Sequence, residues 1–353
     1  MNTNFEQEAL VFNEKREDLL NVLAIETSCD ETSAAIVKGG RKILSNVISS
    51  QIDIHRKFGG VVPEIASRKH VEMIIPVVDE AIKTAGIDIC DIDAVASTYG
   101  PGLVGALLVG LSGAKALAYA LDVPFIGVNH VEGHIYANML AHEDLKPPFI
   151  CLTVSGGHTE LMLLCDHGEY KVLGRTRDDA AGEAFDKVGR AMGLIYPGGP
   201  AIDKLSKNGD ADAISFPKTY VAENELDFSF SGIKTAVINY LHSQKQRGNE
   251  INMENVAAGF QKTVVESLVD RACMAVERYG IKKVCLSGGV SANTTLRRSL
   301  KEAGNRFGFD VYCPPLELCT DNAAMIACAA HYRLIKGEKS DLSLNAVPGA
   351  RII

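Results

Sequence analysis

VLAIETSCDETSAAIV (residues 22–37) places two apolar runs on either side of a short polar turn. Short apolar runs bounded by turn-forming residues are typical of paired β-strands. FICLTVSGGHTELMLL (residues 149–164) repeats this plan in the second half of the chain. The two stretches do not align residue by residue, but each predicts a β-hairpin.

Predicted strands and helices alternate after the first hairpin. Apolar residues at helical spacing predict a helix over 61–85, with Gly86 as its stop. The strand 94–98 leads through a Gly-Pro-Gly turn to a helix near 103–120, and the strand 124–128 leads into another helix. Since this alternation resumes after residue 149, we expect an α/β fold of two lobes, each opening with a hairpin and both facing one cleft.

A polar segment ending in two prolines, EDLKPPF (143–149), is the best candidate for the boundary between the lobes. The predicted division is an N-terminal extension over 1–20, a first lobe over 21–145 and a second lobe over 146–353.

The composition favours a cytoplasmic protein without a membrane span. The nine cysteines are odd in number and form no Cys-x-x-Cys pair, which is typical of free thiols in a reducing compartment. The N-terminus lacks the apolar core of a signal peptide. Residues 94–114 carry no charge, but their glycines and polar residues favour a strand, a turn and a buried helix. The net charge of −8 means that nucleic acid would have to meet a local basic patch or a partner protein.

Two histidines four residues apart occur in NHVEGHIYAN (129–138). Four residues on an α-helix correspond to about 400° of rotation, so His130 and His134 lie within about 40° of each other. Their imidazoles can then bind one metal ion. Glu132 lies about 200° from His130, which argues against the mechanism of a zinc peptidase and favours a structural or outward carboxylate.

A third metal ligand is available in TDNAAMIA (320–327), where Thr320 is predicted to cap a helix with Asp321 in its first turn. Two imidazoles and a carboxylate suit zinc or iron equally. Spacing alone leaves open a plain alternative, namely two surface histidines and a first-turn acid that favours the helix dipole.

Three loops combine glycine with small polar residues: Ser-Gly-Gly at 155–157 and again at 287–289, and YPGGP at 196–200. Glycine lets backbone N–H groups approach a bound anion closely, so these loops favour nucleotide binding, although each could be a tight turn only. The chain contains no GxxxxGK[ST], which excludes a standard P-loop. The first hairpin carries carboxylates, Asp30 and Glu31 among them. Carboxylates close to a bound phosphate usually bind a cation or take part in proton transfer.

Eight motifs together resemble the tRNA adenosine threonylcarbamoyltransferase family. They are IETSCDETS (25–33), GPGLVGALLVG (100–110), NHVEGHIYAN (129–138), TVSGGHTEL (153–161), GEAFDKVGRAMGLIYPGGPAID (182–203), FSFSGIKTAV (228–237), LSGGVSANTTLR (286–297) and CTDNAAMIA (319–327). They span about 22–330 in family order.

The resemblance implies an actin-like, sugar-kinase-like ATPase fold of two lobes with a central cleft. It implies one divalent metal ion, iron or zinc, held by His130, His134 and Asp321. It implies catalytic acids near the reaction at Asp30 and Glu31. The residues implied to bind the adenylate, an ATP-like nucleotide, are Thr153, Val154, Ser155, Gly156, Gly157, Asp186, Gly199, Asp203 and Asn293.

The implied reaction moves the threonylcarbamoyl group of threonylcarbamoyl-AMP to the exocyclic amine of the adenosine 3′ of the anticodon, in tRNAs reading ANN codons, with release of AMP. The implied partners, besides tRNA, are a catalytically inactive paralogue that forms a heterodimer, a small P-loop ATPase and an enzyme that makes the adenylate. For FSFSGIKTAV two interpretations stay open: a wall of the cleft, or a core helix capped by Ser231 or a neighbour.

Three alternatives make different predictions. A metallopeptidase would cleave proteins without nucleotide, and the position of Glu132 argues against it. A carbohydrate or acetate kinase of the same fold would need no metal on histidine. A scaffold subunit without chemistry would be expected to lose His130, His134 or Asp321, and all three are present.

Overall fold

The structure is a computed structural model that describes residues 17–219, 221 and 223–352. Contacts within the chain divide it into two compact units. Unit 1 comprises residues 17–51, Val62–Glu143 and Asp321–Ile352, and unit 2 comprises Ile52–Val61 and the described part of Asp144–Thr320.

Strands and helices alternate along the described chain, with short 3-10 turns between some of them. The strands are β1 (Asn21–Glu26), β2 (Glu31–Lys38), β3 (Lys42–Ser50), β4 (Ala94–Gly100), β5 (Phe125–Asn129), β6 (Phe149–Val154), β7 (Thr159–Asp166), β8 (Glu169–Arg175), β9 (Lys283–Ser287) and β10 (Asp310–Tyr312). The helices are α1 (Ile52–Arg56), α2 (Pro63–Ala85), α3 (Val104–Leu121), α4 (His130–Ala141), α5 (Ala181–Ala191), α6 (Gly198–Ser206), α7 (Ser231–Gln246), α8 (Met253–Tyr279), α9 (Thr294–Phe307) and α10 (Ala323–Ile335).

Unit 1 is built on a five-stranded sheet in the order β3-β2-β1-β4-β5. The first hairpin forms as predicted, with Val22 of β1 opposite Val37 of β2. Strands β4 and β5 run parallel to β1. Nearly every residue of β1 and β2 is buried, because helices pack against the sheet and leave little of it to water.

Unit 2 repeats the plan in a sheet of order β8-β7-β6-β9-β10. The hairpin β6–β7 is antiparallel, as predicted, and places Cys151 opposite Met162. Strands β9 and β10 are parallel to β6. Each sheet therefore has three antiparallel strands followed by two parallel ones, so the two units share one topology.

The predicted helices of unit 1 form close to their expected bounds. Helix α2 ends as predicted at Gly86, whose φ of 66° is the left-handed conformation that glycine adopts most readily. Two glycines of α3 let α2 approach: a Cβ on Gly105 would lie 2.5 Å from Ser67 Oγ, and one on Gly113 would lie 2.6 Å from Ile74 Cδ1.

By length and composition, α3 is the helix of the described chain that could cross a membrane. Core helices of soluble proteins also pass this test. In unit 1, α3 packs against α2 and β4, and Leu107 and Leu111 are buried in the core.

The observed division of the chain differs from the predicted one in two segments. Residues 321–352, predicted in the second lobe, belong to unit 1 because α10 packs on α4, β1 and β2. Residues 52–61, predicted in the first lobe, belong to unit 2. Of the predicted extension over 1–20, residues 1–16 lie outside the described residues.

Candidate active site and metal centre

The two histidines lie on the first turns of α4, which begins at the end of β5. Asn129 caps the helix, because its Oδ1 accepts hydrogen bonds from the N–H groups of Val131 (2.9 Å) and Glu132 (3.4 Å). The rings of His130 and His134 are 4.7 Å apart, centroid to centroid, and both are buried. The cap fixes the start of α4, and the four-residue spacing places both imidazoles on one face of the helix, next to each other.

Asp321 completes the cluster. Its Oδ1 lies 3.4 Å from His130 Nε2 and 3.2 Å from His134 Nε2. The predicted cap was wrong: α10 begins at Ala323, and Asn322, not Thr320, accepts the hydrogen bond from Met325 N. Asp321 therefore precedes the helix and is not in its first turn, which leaves its carboxylate directed at the histidines.

Glu26, at the end of β1, contacts the Nδ1 side of the His130 ring, opposite to Asp321. Its Oε2 lies 3.2 Å from His130 Nδ1, and Ser28 Oγ lies 3.1 Å from the same nitrogen. Glu26 is fully buried and also accepts a hydrogen bond from Thr98. Because Nδ1 is engaged on this side, Nε2 of His130 is left to face Asp321.

Burial and the charges in the cluster shift the pKa values of the two imidazoles in opposite directions. Burial would lower the pKa of His130, but the carboxylates of Asp321 and Glu26 outweigh it and hold that pKa well above its usual range. Burial lowers the pKa of His134, and the neighbouring His130 adds to this, so His134 favours the neutral form. Burial opposes ionisation of Asp321, yet the two histidines hold its pKa far below the usual range.

The residues present fit a divalent cation. One ligand atom from each of His130, His134 and Asp321 lies within 4.8 Å of the others. Among the described residues, His134 Nδ1 has no hydrogen-bond partner, and Nε2 faces Asp321 Oδ1 at 3.2 Å without well-formed hydrogen-bond geometry. A buried imidazole without such a partner is costly unless another group binds it, and two imidazoles with one carboxylate are a common metal-binding set.

Glycine and an ion pair bring α10 close to α4. A Cβ on Gly133 would lie 2.6 Å from Ile326 Cδ1 and 3.2 Å from Met325 Cγ, so glycine at this position lets the two helices pack closely. Glu132 is fully buried, and its carboxylate accepts hydrogen bonds of 2.8 to 3.1 Å from Arg333 of α10. Glu132 is therefore a structural carboxylate and not an outward one.

The predicted catalytic acids lie in the turn of the first hairpin and at the start of β2. Burial raises the pKa of Glu31 to about 10, and the nearby carboxylates of Asp30 and Asp321 add to the rise. Glu31 is hydrogen-bonded to Asp30 and to Ser50. His70 of α2 holds this turn through Cys29 O (3.0 Å) and Thr32 Oγ1 (2.8 Å).

In unit 2, the first predicted nucleotide loop follows β6. Thr153 is buried, and its hydroxyl forms a hydrogen bond with Ser287 Oγ (2.9 Å). Its side chain therefore links the neighbouring strands β6 and β9. Ser155 closes the turn, because its Oγ accepts from His158 N (3.1 Å) and its N–H donates to His158 O (2.8 Å). A Cβ on Gly288 would lie 2.5 Å from the backbone oxygen of Val154 and 3.2 Å from Ser155 N. The two Ser-Gly-Gly loops therefore lie against each other.

Three of the predicted glycines are not required by packing. A Cβ on Gly156 or Gly157 would meet no described atom within 4 Å, and one on Gly199 would meet only Phe185 Cβ at 3.9 Å. None of the three has a positive φ. Neither crowding nor backbone strain within the described chain explains glycine here, which leaves close approach of a ligand as an explanation.

The predicted polar residues stabilise the neighbouring helices. Asp186 Oδ1 accepts from Gly198 N (2.7 Å) at the start of α6. Asp203 accepts from Thr294 Oγ1 (3.0 and 3.1 Å). Asn293 caps α9 through Leu296 N (2.9 Å) and donates to Gln261 Oε1 (2.7 Å). These contacts bring α6, α8 and α9 together beside the second Ser-Gly-Gly loop.

Of the two interpretations left open for FSFSGIKTAV, the core helix forms as α7, but without the cap by Ser231 or a neighbour that this interpretation includes. No side chain of Phe230 or Ser231 caps the helix; instead Asp178 Oδ1 accepts from Phe230 N (2.8 Å) and Ser231 N (3.2 Å). The cap is distant in sequence, so local spacing could not identify it.

The two sheets, with their shared topology, define the actin-like, sugar-kinase-like ATPase fold, as predicted. Full-length HypF, solved in a phosphate- and nucleotide-bound form, superposes with a TM-score of 0.61 at 19% identity, covering 90% of this chain and 46% of that one. At this identity the likeness concerns the fold alone.

Sequence comparisons identify the family. The family model described as tRNA N6-adenosine threonylcarbamoyltransferase matches residues 42–328. Proteins of that name from Clostridium perfringens and Clostridioides difficile are each 59% identical, over 331 and 330 residues, covering 94% of this chain and 98% of theirs. The chain belongs to the tRNA N6-adenosine threonylcarbamoyltransferase family.

Sequence reasoning did not assign functional roles to three residues of unit 1. They are Glu26, one of the acids of the first hairpin, His70 and Arg333, none of which any spacing connects to the residues they contact. A carboxylate ending a buried strand, as Glu26 does, is the one signal that could have indicated a partner for a buried cation or imidazole.

Proposed function

We propose that this chain transfers a threonylcarbamoyl group to N6 of adenosine in tRNA. The observation that carries the proposal is the convergence of His130, His134 and Asp321 in a chain that matches transferases of this name over nearly its whole length. The substrate tRNAs are those reading ANN codons, and the acceptor is the adenosine 3′ of the anticodon. The reaction takes place in the cytoplasm.

The donor is threonylcarbamoyl-AMP, a mixed anhydride. The N6 amine of adenosine attacks the carbamoyl carbon, the new C–N bond forms, and the bond from that carbon to the phosphate oxygen of AMP breaks. AMP leaves with the electron pair of that bond, and N6 loses one proton. A base for this proton and stabilisation of the charge on the carbonyl oxygen are therefore needed.

His130, His134 and Asp321 would hold a divalent cation, iron or zinc, and when bound it would supply positive charge to orient the threonylcarbamoyl group and polarise its carbonyl oxygen. His134 offers a neutral nitrogen, as metal binding requires. Glu26 fixes the ring of His130 through Nδ1.

Asp30 accepts the proton from N6, with Glu31 as its hydrogen-bond donor. Burial and the neighbouring carboxylates raise the pKa of Glu31 to about 10, which favours Asp30 over Glu31 as the base. His70 fixes the turn that carries both acids.

The Ser-Gly-Gly loops and YPGGP bind the adenylate. Open space at Gly156, Gly157 and Gly199 supports this, because backbone amides can reach a phosphate there without side-chain obstruction. Asp186, Asp203 and Asn293 hold the surrounding helices, with Thr153, Val154 and Ser155 forming the base of the loop.

An exposed apolar stripe supports a heterodimer with the inactive paralogue. Val71 and Ile75 of α2 are 63% and 76% exposed, and Val104 and Leu108 of the adjacent α3 are 52% and 41% exposed. Exposed apolar side chains grouped on packed helices are typical of protein interfaces. The small P-loop ATPase and the adenylate-synthesising enzyme complete the proposed set of partners.

The peptidase alternative is disfavoured by Glu132, whose buried carboxylate is bound by Arg333 and so cannot act as the base of a zinc peptidase. The kinase alternative does not account for a His-His-Asp cluster.

The test is reconstitution of the reaction with the full chain, its partner proteins, synthetic threonylcarbamoyl-AMP and unmodified tRNA. Mass spectrometry of the digested tRNA should show threonylcarbamoyladenosine, and the double variant His130→Ala/His134→Ala should give none. Absence of product with the wild-type chain, in an intact complex with stable donor, would contradict the proposal.

A further inference from the structure

A basic turn with an exposed aromatic ring lies at the end of α1. Arg56, Lys57 and Phe58, which we call the RKF loop, are followed by Gly59 and Gly60. The turn is closed by His55 O, which accepts from Phe58 N (2.9 Å) and Gly60 N (3.3 Å). Phe58 is 57% exposed, so the folded turn presents an aromatic ring to solvent.

Contacts within unit 2 attach this loop to the segment 190–197. Arg190, at the end of α5, donates to the carbonyl of Gly59. Arg56 Nε donates to the carbonyl of Tyr196 at 3.2 Å. The RKF loop therefore lies beside the YPGGP segment, whose Gly198 is held by Asp186.

The side chains around Phe58 are mainly basic. Arg56, Lys57 and Arg190 supply three positive charges, and Asp53, 2.8 Å from Arg56 and 90% exposed, supplies one negative charge. On a chain with a net charge of −8, such a patch is a local exception. It meets the condition that an acidic protein must satisfy to contact nucleic acid by itself.

We propose that the RKF loop and Arg190 bind unpaired nucleotides of the RNA substrate, with the basic side chains on phosphates and Phe58 stacked on a base. This rests on the proposed function, whose acceptor adenosine lies next to the anticodon. Unpaired bases stack on exposed aromatic rings, and phosphates bind arginine and lysine. A protein partner fits less well, because the cores of protein interfaces are depleted in lysine.

The position of the loop is consistent with this role. Arg56 and Arg190 are anchored by backbone carbonyls, so their side chains do not have to be ordered on binding. RNA held there would lie next to the segment proposed to bind the adenylate, which is where the acceptor has to arrive.

The test compares Lys57→Glu and Phe58→Ala with the matched controls Lys301→Glu and Phe307→Ala. Phe307 is 56% exposed and also lies in unit 2, beside a basic residue on α9. Each full-length variant, in complex with its partner proteins, is measured for its Kd for unmodified tRNA at several salt concentrations, and for kcat and KM in the transfer assay.

We expect both loop variants to raise the Kd and the KM for tRNA about tenfold, with kcat at saturating tRNA, the melting temperature and assembly of the complex unchanged. Lys57→Glu should also reduce the salt dependence of tRNA binding by about one phosphate contact. The controls should behave as the wild type.

Unchanged Kd and KM in the loop variants would overturn the inference, as would loss of partner assembly with intact tRNA binding by the isolated chain. Failure of the wild type to transfer would instead refute the proposed function. In that case the Kd measurements alone decide: weaker tRNA binding by the loop variants supports the RNA site, and equal binding refutes it.

Discussion

His130 uses its two ring nitrogens for different purposes. Nδ1 faces Glu26 and Ser28, and Nε2 faces Asp321. A carboxylate behind a metal-binding imidazole fixes the ring and raises its basicity. In the proposed metal centre Glu26 therefore positions His130, a role that the His-x-x-x-His spacing does not indicate.

Glu26→Gln should weaken metal binding about 10- to 100-fold, because the amide cannot stabilise the positive charge that His130 acquires on coordination. Titration of the metal-free chain with zinc, in competition with a chromogenic chelator, measures this. Glu72→Gln, at an exposed carboxylate of unit 1, is the control. Equal affinities of Glu26→Gln and the wild type would refute the role assigned to Glu26.

Replacing the two acids of the first hairpin should have unequal effects. Asp30→Asn removes the proposed base and should lower kcat about 10²- to 10⁴-fold. Glu31→Gln replaces a carboxyl group that burial keeps neutral up to about pH 10, so kcat should fall less than about tenfold at pH 7. Single-turnover transfer rates, with equal metal content in both variants, measure the difference. A slower Glu31→Gln than Asp30→Asn would reverse the assignment.

Helical spacing predicts that the imidazoles of His130 and His134 meet, and they do. Asp321, which spacing could not connect to them and the resemblance implied, lies beside both rings. Their supports could not be predicted, since Glu26 precedes His130 by 104 residues and Arg333 follows Glu132 by 201. Contacts between distant segments depend on how the elements pack, and local patterns do not contain that information.

At the scale of elements, α10 reaches the metal centre because it is fixed to α4. Gly133 admits Ile326, and Glu132 binds Arg333. Both contacts join α4, which carries the two histidines, to α10, which begins two residues after Asp321, so they set the position of Asp321 relative to the histidines.

Arg333→Met should lower the free energy of unfolding by about 3 kcal/mol, because the buried carboxylate of Glu132 loses its partner. The double variant Glu132→Leu/Arg333→Met should recover part of this loss, since no uncompensated charge remains. Urea unfolding of the two single variants, the double variant and the wild type measures the coupling. Strictly additive losses would show that the ion pair does not hold the helices together.

Asp179 joins two helices of unit 2 through Lys187 (2.8 Å) and Lys234 (2.5 Å). Burial raises the pKa of Asp179, but the hydrogen bonds from the two lysines outweigh it and lower that pKa to about 2. Since the pKa is lower in the folded state, this stabilisation is present above about pH 4 and is lost as the pH falls towards 2.

Asp179→Asn should therefore lower the free energy of unfolding by about 1–2 kcal/mol at pH 7, and the difference from the wild type should vanish near pH 2. Chemical unfolding across this pH range measures it, with Asp310→Asn at an exposed strand residue as the control. A difference that persists unchanged at pH 2 would show that the effect is not electrostatic.

At the scale of the whole chain, each half opens with a hairpin whose apolar pattern was sufficient to predict its sheet. The helix bounds followed from glycine stops and small-residue spacing. The return of α10 to unit 1 was not predicted, because no local signal in 321–352 indicates which sheet it packs against. The cap of α10 was predicted at Thr320 and lies at Asn322, because neighbouring polar residues could each have capped the helix. The residue that caps α7, Asp178, lies far from the helix in sequence, so no local pattern indicates it.

The central claim is that His130, His134 and Asp321 form the metal centre on which threonylcarbamoyl transfer depends. The most direct test measures two quantities in the same samples, the bound metal per chain and the transfer rate. The samples are the wild type, Asp321→Ala and the exposed-site control Asp341→Ala. Each is measured as purified, after chelation, and after re-addition of iron or zinc. We predict about one metal ion per chain in the wild type and in the control. Metal and transfer should be lost together on chelation, and both should be absent in Asp321→Ala. Re-addition of metal should restore both in the wild type and the control but not in Asp321→Ala. Full transfer by chains without metal, or by Asp321→Ala, would contradict the claim.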